Sequence, residues 1–372
     1  MVIETGVKSG AVVRAVRPAL LGLGLVFLTL AGNADTGAFT VAVIGDVLPG
    51  VRYDTRTEAG EGPFRNLTPW LSRADIAAAN LEGPLTARGV RIRGKKFTFR
   101  VPPTNARWLV SSGLDILGLA NNHVLDYGPV GLADTIETLS RYGLLWCGAG
   151  RDITEARRPA MIRAGGMRVA FLAYNLTYPK SYYATGSRPG TVYGDAATIR
   201  EDVIAARKNA DAVIVLMHWS KEKSHELRQY QRPLASTAIE AGAALVVGAH
   251  PHVMQGIERI GSGIVAYSLG DAVFGGALRR AEDSLLLRAV FSGGALSMVE
   301  LFALQTSNVD TEFAPRVRTG EDADPALKML VDLSAGLGCV LRRGQSAEGT
   351  PCASITIGPG VPAPSGGGSP RP

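Results

Sequence analysis

Four of the five histidines in this 372-residue chain stand at the end of an apolar run. His123 follows "DILGLANN", His218 follows "DAVIVLM", and His250 and His252 follow "ALVVGA". Two carboxylates occupy the same kind of place, Asp46 after "VAVIG" and Glu82 after "IAAANL", and Asn121 and Asn122 directly precede His123. A single histidine in such a position is usually a satisfied hydrogen-bonding group in a loop. Several imidazoles and two carboxylates gathered on one rim are another matter, because burying them together without a counter-ion is costly. A divalent cation stabilises such a set. Imidazole, carboxylate and amide oxygen without thiolate suit Mn, Fe, Zn or Mg rather than Cu(I) or an iron–sulfur cluster. The set is large enough for two ions sharing a carboxylate, about 3.5–4 Å apart, which clamp the attacking and leaving oxygens of an in-line displacement.

These residues need elements that bring them together. The apolar, β-branched runs 39–44, 115–120, 167–174, 211–217, 244–250 and 263–270 read as buried strands. Between them lie helical patterns. Residues 128–143 carry apolar spacing of three and four and stop at Gly143; residues 195–210 open on Asp195 as an N-cap; residues 231–242 form a third. Alternating strands and helices predict an α/β fold with a largely parallel core sheet. In such sheets ligands bind beyond the carboxyl ends of the strands, which is where the polar residues above fall. After residue 283 the pattern becomes two strands joined at "SGG", a hairpin.

Six segments in order, "VIGDVLPG", "ANLEGPLT", "LANNHVLDYG", "MHWSKE", "GAHPHVMQGIE" and "AYSLGD", resemble the CapA-type capsule and poly-γ-glutamate biosynthesis proteins, a branch of the calcineurin-like metallophosphatase superfamily. The resemblance spans roughly residues 39–275. It implies a four-layer α/β/β/α sandwich of two central sheets flanked by helices, with two divalent metal ions. It places Asp46 and His252 on a first ion, Glu82 as the bridge, and Asn122, His218 and His250 on a second. It implies that His123 contacts the leaving group as acid or transition-state stabiliser, with Asp126 orienting it by accepting its ring proton. Asn121, Glu222, Arg100 and Asp271 are expected on the substrate side of the site. The chain departs from the wider pattern at Leu48, where the superfamily has a histidine, at Ser220 for the Gly of "HWGxE", and at Asp271 for the Asn of "SLGN".

In the stretch "RIRGKKFTFRVPP" (91–103), strand-like alternation would put Phe97 and Phe99 on one face and Lys95, Lys96 and Arg100 on the other. Such a face is either solvated or a groove for an anionic polymer, polyglutamate or a phosphate-bearing glycan. The composition, 46% hydrophobic and 19% charged, is that of a globular chain. A net charge of +6 carried by scattered arginines gives no nucleic-acid signature, and no nucleic-acid partner is expected.

Residues 1–34 read as a signal peptide or membrane anchor, since Arg14 and Arg17 precede an apolar stretch that ends in small residues at Ala34. The chain is therefore expected to be exported, beside membrane synthase subunits if the resemblance holds. Residues 35–330 are expected, on the resemblance, to form a CapA-like metallophosphatase domain, 331–357 a C-terminal extension and 358–372, rich in Pro, Gly and Ser, a disordered tail. Without a CxxC pair a cysteine zinc site is not expected; Cys339 and Cys352 are either bridged or free.

Overall fold

The computed structural model describes residues 37–50, 62–275 and 284–357. The expected signal or anchor segment and the Pro/Gly/Ser tail lie outside the described residues. Strand β1 (Phe39–Leu48) shows why the fold has four layers. Both faces of this strand are apolar. Val41 and Val43 look into one core while Ala42 and Ile44 look into another. A strand buried on both sides reads as a continuous apolar run rather than an alternating one.

Parallel to β1 run β2 (Ile76–Leu81), β3 (Ile116–Gly118) and β4 (Leu145–Cys147), in that order outward. A second sheet holds β5 (Ala160–Ala164), β6 (Met167–Asn175), β7 (Ala212–His218), β8 (Leu245–Ala249), β9 (Ile257–Ile260) and β10 (Gly263–Ala266) in the order β9-β10-β8-β7-β6-β5. Its four central strands are parallel and its two edges antiparallel. The chain then returns to the first sheet. On the edge of β1 opposite β2, β11 (Asp271–Phe274) pairs in parallel with the end of β1, and the hairpin β12 (Ser284–Ser292) and β13 (Ala295–Gln305) adds antiparallel strands beginning alongside its first residues. The hairpin turns at Gly293 and Gly294, both at positive φ, as a two-residue turn that matches strand twist requires.

The sheets face each other across a core in which Val41, Val43 and Ile116 meet Phe171, Ile214 and Leu245. The outer face of the first sheet is covered by α1 (Ala106–Ser111) and α2 (Gly128–Arg141) through Trp108, Leu109, Leu132 and Leu139. The outer face of the second is covered by α3 (Ala196–Arg207) and α4 (Gln231–Glu240) through Ile199, Val203, Ala235 and Ala238. The expected α/β/β/α sandwich is therefore present, with two partly parallel sheets in place of one. Asp195 caps α3 as anticipated, its carboxylate accepting from the amides of Ala197 and Thr198. Residues beyond 330 continue α5 (Asp324–Ser334) and supply β14 (Arg342–Gln345) and β15 (Pro351–Thr356); β15 pairs with β13 and so extends the first sheet. All three cysteines are free thiols.

One expectation about local structure fails. Residues 87–100 form an irregular loop closed at its base by the Leu85–Val101 bridge, not a strand. Its backbone bonds go to the neighbouring loop, Ile92 to the Asp126 carbonyl and Phe99 to the Asp126 carboxylate, so no ladder imposes a period of two. Lys95 and Phe99 accordingly turn inward together, while Phe97 is exposed.

Two close approaches set the spacing of strands at the carboxyl end. A Cβ on Gly45 would lie 1.8 Å from the Gly270 carbonyl oxygen, and one on Gly248 would lie 1.8 Å from the Tyr267 carbonyl oxygen. Both obstacles are backbone, so neither can give way as a side-chain end could. Gly45→Ala and Gly248→Ala are each expected to cost at least about 2 kcal/mol in urea unfolding. Gly186→Ala, whose Cβ meets nothing within 4 Å, should stay within about 0.5 kcal/mol.

Candidate metal centre

Asp46 lies in β1 between two parallel neighbours. Its register partners are Asn80 of β2 and Asp271 of β11, and the register shifts at Asp46 against both strands. Such an irregularity re-aims a side chain. The Asp46 carboxylate accepts from Asn80 Nδ2 at 2.7 Å and from the His250 amide at 3.0 Å. The second bond joins the first sheet to the loop that leaves the second. In that loop His250 and His252 both hold positive φ, 93° and 59°, on either side of Pro251. Non-glycine residues rarely adopt this region, and such strain gathers at functional sites. Ser220, at the family's glycine position, has φ 78°, which is the conformation that glycine would take without strain.

Glu82 emerges from β2 into the middle of the cluster. Its Oε1 is 3.8 Å from His218 Nε2, 3.8 Å from His252 Nε2 and 3.9 Å from His123 Nε2. These are too long for hydrogen bonds. Among the described residues neither carboxylate oxygen of Glu82 has a hydrogen-bond partner, and the side chain is fully buried. His250 Nδ1 is likewise buried and unpartnered. Donors lacking mutual hydrogen bonds but converging on one point are what a shared cation requires. Two overlapping sets made wholly of buried side chains result among the described residues, Asp46, Glu82 and His252, and Glu82, His218 and His250. Asn122 stands at the second, where its Oδ1 accepts from His218 Nε2 at 2.8 Å, a hydrogen bond that a cation held by both would replace. Glu82 is common to both sets. Imidazole and carboxylate donors suit a divalent ion.

The remaining ring nitrogens are held by neighbours. His252 Nδ1 lies 2.7 Å from Asp271 Oδ1, so Asp271 orients a candidate ligand. His123 Nδ1 lies 2.6 Å from Asp126 Oδ2. A carboxylate only accepts, so Nδ1 donates and Nε2 faces the cluster. The Phe99 ring packs on His123 at 4.1 Å. Asn121 acts inside the loop: its carbonyl accepts from the amides of His123 and Val124, and its Nδ2 donates to Leu81 and Asn80. Glu222 stands exposed at the mouth, within reach of His250 and His252. Arg100 is exposed, its guanidinium 4.7 Å above the Tyr127 ring. Leu48, where a further histidine would stand, is buried in the helix-side core.

Burial and crowding set the charges. Burial, reinforced by Asp271, pushes Asp46 up to about 6 against the pull of His252. Burial and then Asp46 hold Glu82 well above the carboxylate range. Burial, with His252 next, lowers His250 to about 3, and burial with His250 and His252 holds His218 well below the usual histidine value. His252 goes the other way: burial opposes its charge, but Asp271, Glu82 and Asp46 together raise it to about 10.

Three residues at the site were not singled out for it by the sequence. Asn80 buttresses Asp46; as the last polar residue of an apolar strand two before Glu82, it carried a readable signal. Lys95 reaches in from the 87–100 loop, donating to Asp126 Oδ1 at 2.6 Å and to the Asn122 carbonyl. Tyr182 donates to the same Asp126 oxygen at 3.0 Å. Neither of the last two stands at a strand end, so no positional rule finds them.

Residues 40–276 match the family model described as bacterial capsule synthesis protein PGA_cap. The chain is similar to the capsule biosynthesis protein CapA of Bacillus anthracis, 29% identical over 265 residues that cover 69% of this chain and 64% of that protein. It therefore spans less than two thirds of that relative's length. It is also similar to the PGA biosynthesis protein CapA of Bacillus subtilis, 28% identical over 270 residues, 69% of this chain and 71% of that protein. Among solved structures, a calcineurin-like phosphoesterase from Bacillus subtilis aligns with a TM-score of 0.37 at 12% identity, over 75% of this chain and 88% of that one.

The His252–Asp271 pair makes metal-free stability depend on pH. His252 has a folded value of about 10, above its ordinary 6.5. The pair's contribution is therefore complete below about pH 6.5 and is lost as pH rises through about 10. In chelator-treated protein, Asp271→Asn is expected to lower unfolding stability by about 3 kcal/mol at pH 6, and by much less near pH 10. An equal loss at both pH values would contradict this assignment.

Proposed function

The chain belongs to the bacterial capsule synthesis protein PGA_cap family, and from that membership we propose that it is a metal-dependent, hydrolase-like protein of capsule or poly-γ-glutamate biosynthesis. It acts on a phosphoester or on the anionic polymer itself, and γ-glutamyl amide cleavage is the lesser variant. The observation that carries this reading is Glu82, a fully buried carboxylate whose two oxygens have no hydrogen-bond partner and which two candidate ligand sets share.

In this reading Asp46, Glu82 and His252 hold one divalent ion, and Glu82, Asn122, His218 and His250 hold the second. Such ions would polarise the reacting oxygen and lower the pKa of a water molecule. The chain's own residues do the rest. Asp126 accepts from His123 Nδ1 and favours the imidazolium, whose Nε2–H would be the proton given to the leaving oxygen, leaving the neutral ring with its proton on Nδ1. Phe99 covers one face of that imidazole and limits its contact with water. Glu222, at the mouth, meets the incoming substrate.

Leu48 supports a second reading. With a buried leucine in place of a nitrogen donor, the first set has three protein ligands against four in the second. A weakly held first ion would suit a non-catalytic accessory protein that binds the polymer during synthesis, export or release. In both readings we place the protein outside the cytoplasmic membrane beside membrane synthase subunits, with residues 1–34 as signal or anchor. N-terminal sequencing of the mature chain beginning at Asp35 would support cleavage.

Protein stripped and reloaded with Mn²⁺ or Zn²⁺ is expected to hold about two ions per chain by elemental analysis. His250→Ala with His252→Ala should lose most of them. No metal in the reloaded wild type would sink the assignment. His123→Ala should keep its metal and lower hydrolysis of an aryl phosphodiester about 100-fold; loss of metal instead would make His123 a ligand. Full metal without turnover on phosphomonoesters, phosphodiesters or polyglutamate would favour the accessory reading.

A further inference from the structure

The 86–100 loop carries six cations, Arg88, Arg91, Arg93, Lys95, Lys96 and Arg100, and no Asp or Glu occurs between Glu82 and Asp115. Two of the six are paired: Arg88, itself exposed, with Asp134, and Lys95, turned inward, with Asp126. The other four are exposed and make no ion pair with any described residue. An uncompensated run of this kind costs self-repulsion in the free protein and suits an anionic partner.

The loop is also tied to the candidate metal centre. Its Ile92 amide donates to the Asp126 carbonyl, its Phe99 amide to the Asp126 carboxylate, and Lys95 to Asp126 and the Asn122 carbonyl. The inner side of the loop therefore braces the segment that presents Asn122 and His123, while the outer side remains open to solvent. That outer side is not uniformly polar. Val90 is 82% and Phe97 54% exposed, and Lys96 and Arg100 lie over the rings of Phe97 and Tyr127 at 5.1 and 4.7 Å.

We propose that the exposed side of the 86–100 loop is the docking surface for a polycarboxylate chain, held there beside the metal centre. The proposal rests on the polymer reading of the function above. Charge complementarity selects a polyanion. The apolar residues set among the cations select one whose carboxylates are carried on methylene groups, since methylenes can lie on Val90, Phe97 and Tyr127 while the carboxylates meet Arg91, Arg93, Lys96 and Arg100. A nucleic acid is less well matched, because the loop offers no helix or β-ribbon for a groove.

Fluorescence anisotropy with the full chain and labelled polyglutamate tests this. Arg91→Glu/Arg93→Glu/Lys96→Glu is expected to weaken binding at least tenfold, on the order of the loss for several reversed charges. Arg163→Glu/Arg200→Glu/Lys208→Glu makes the same change in net charge at exposed sites elsewhere and should alter binding less than about twofold. The Arg91→Glu/Arg93→Glu/Lys96→Glu protein should hold as much Mn²⁺ or Zn²⁺ as the wild type by elemental analysis, so failure of the metal reading and failure of this one are separable. If the wild type bound no polyglutamate, the polymer reading and the proposal would fall together. If the wild type bound but the loop variant bound equally well, or the control variant lost as much, the loop would be excluded. Tighter binding of polyphosphate or duplex DNA of equal length would overturn the choice of a polycarboxylate.

Discussion

Asp46 is the residue on which the two halves of the molecule depend. Its carboxylate takes hydrogen bonds from Asn80 in the first sheet and from the His250 amide beyond the second, while its own amide donates to Gly270. One buried side chain therefore couples both sheets at their carboxyl ends and ties down the His250–Pro251–His252 turn, whose two histidines hold positive φ. Two glycines permit this closeness. Gly45 and Gly248 let backbone from β1 and β8 approach carbonyls that a methyl group would displace.

Around Asp46 the protein concentrates charge that water cannot screen. Asp46, Glu82 and Asp271 are buried beside His218, His250 and His252. Part of the conflict is resolved internally: His252 stays protonated on Asp271, and Asp126 is satisfied by Lys95, Tyr182, Phe99 and His123. Glu82 is not resolved by any hydrogen bond. A buried carboxylate of that kind needs either a proton or a cation. The two outcomes differ in function, because a proton leaves the cluster inert while a divalent ion makes its neighbours ligands.

The loops divide the labour. Rigid strand ends fix Asp46, Glu82 and His218, so the donor set is built on the sandwich itself. The Asn121–Tyr127 loop brings His123 and is braced from outside by the 86–100 loop. The inner and outer sides of that second loop therefore meet different demands, one structural and one electrostatic.

Much of this was legible in the residue order. Apolar runs announced the strands, though as one largely parallel sheet, with the second sheet implied only by the family resemblance; Asp195 announced the start of a helix, and polar residues at strand ends announced where a ligand would bind. Those signals are local, arising from side-chain periodicity and backbone chemistry within a few residues. Which imidazole meets which carboxylate was decided only by tertiary structure. β11 returns from far along the chain to lie beside β1, and this alone sets Asp271 opposite Asp46 and against His252. Lys95 reaches Asp126 across 31 residues because two loops cross there, and the same crossing removed the strand alternation that the 91–103 pattern suggested. Periodicity records which face of an element is buried; it carries no information about the partner that another part of the chain places against that face.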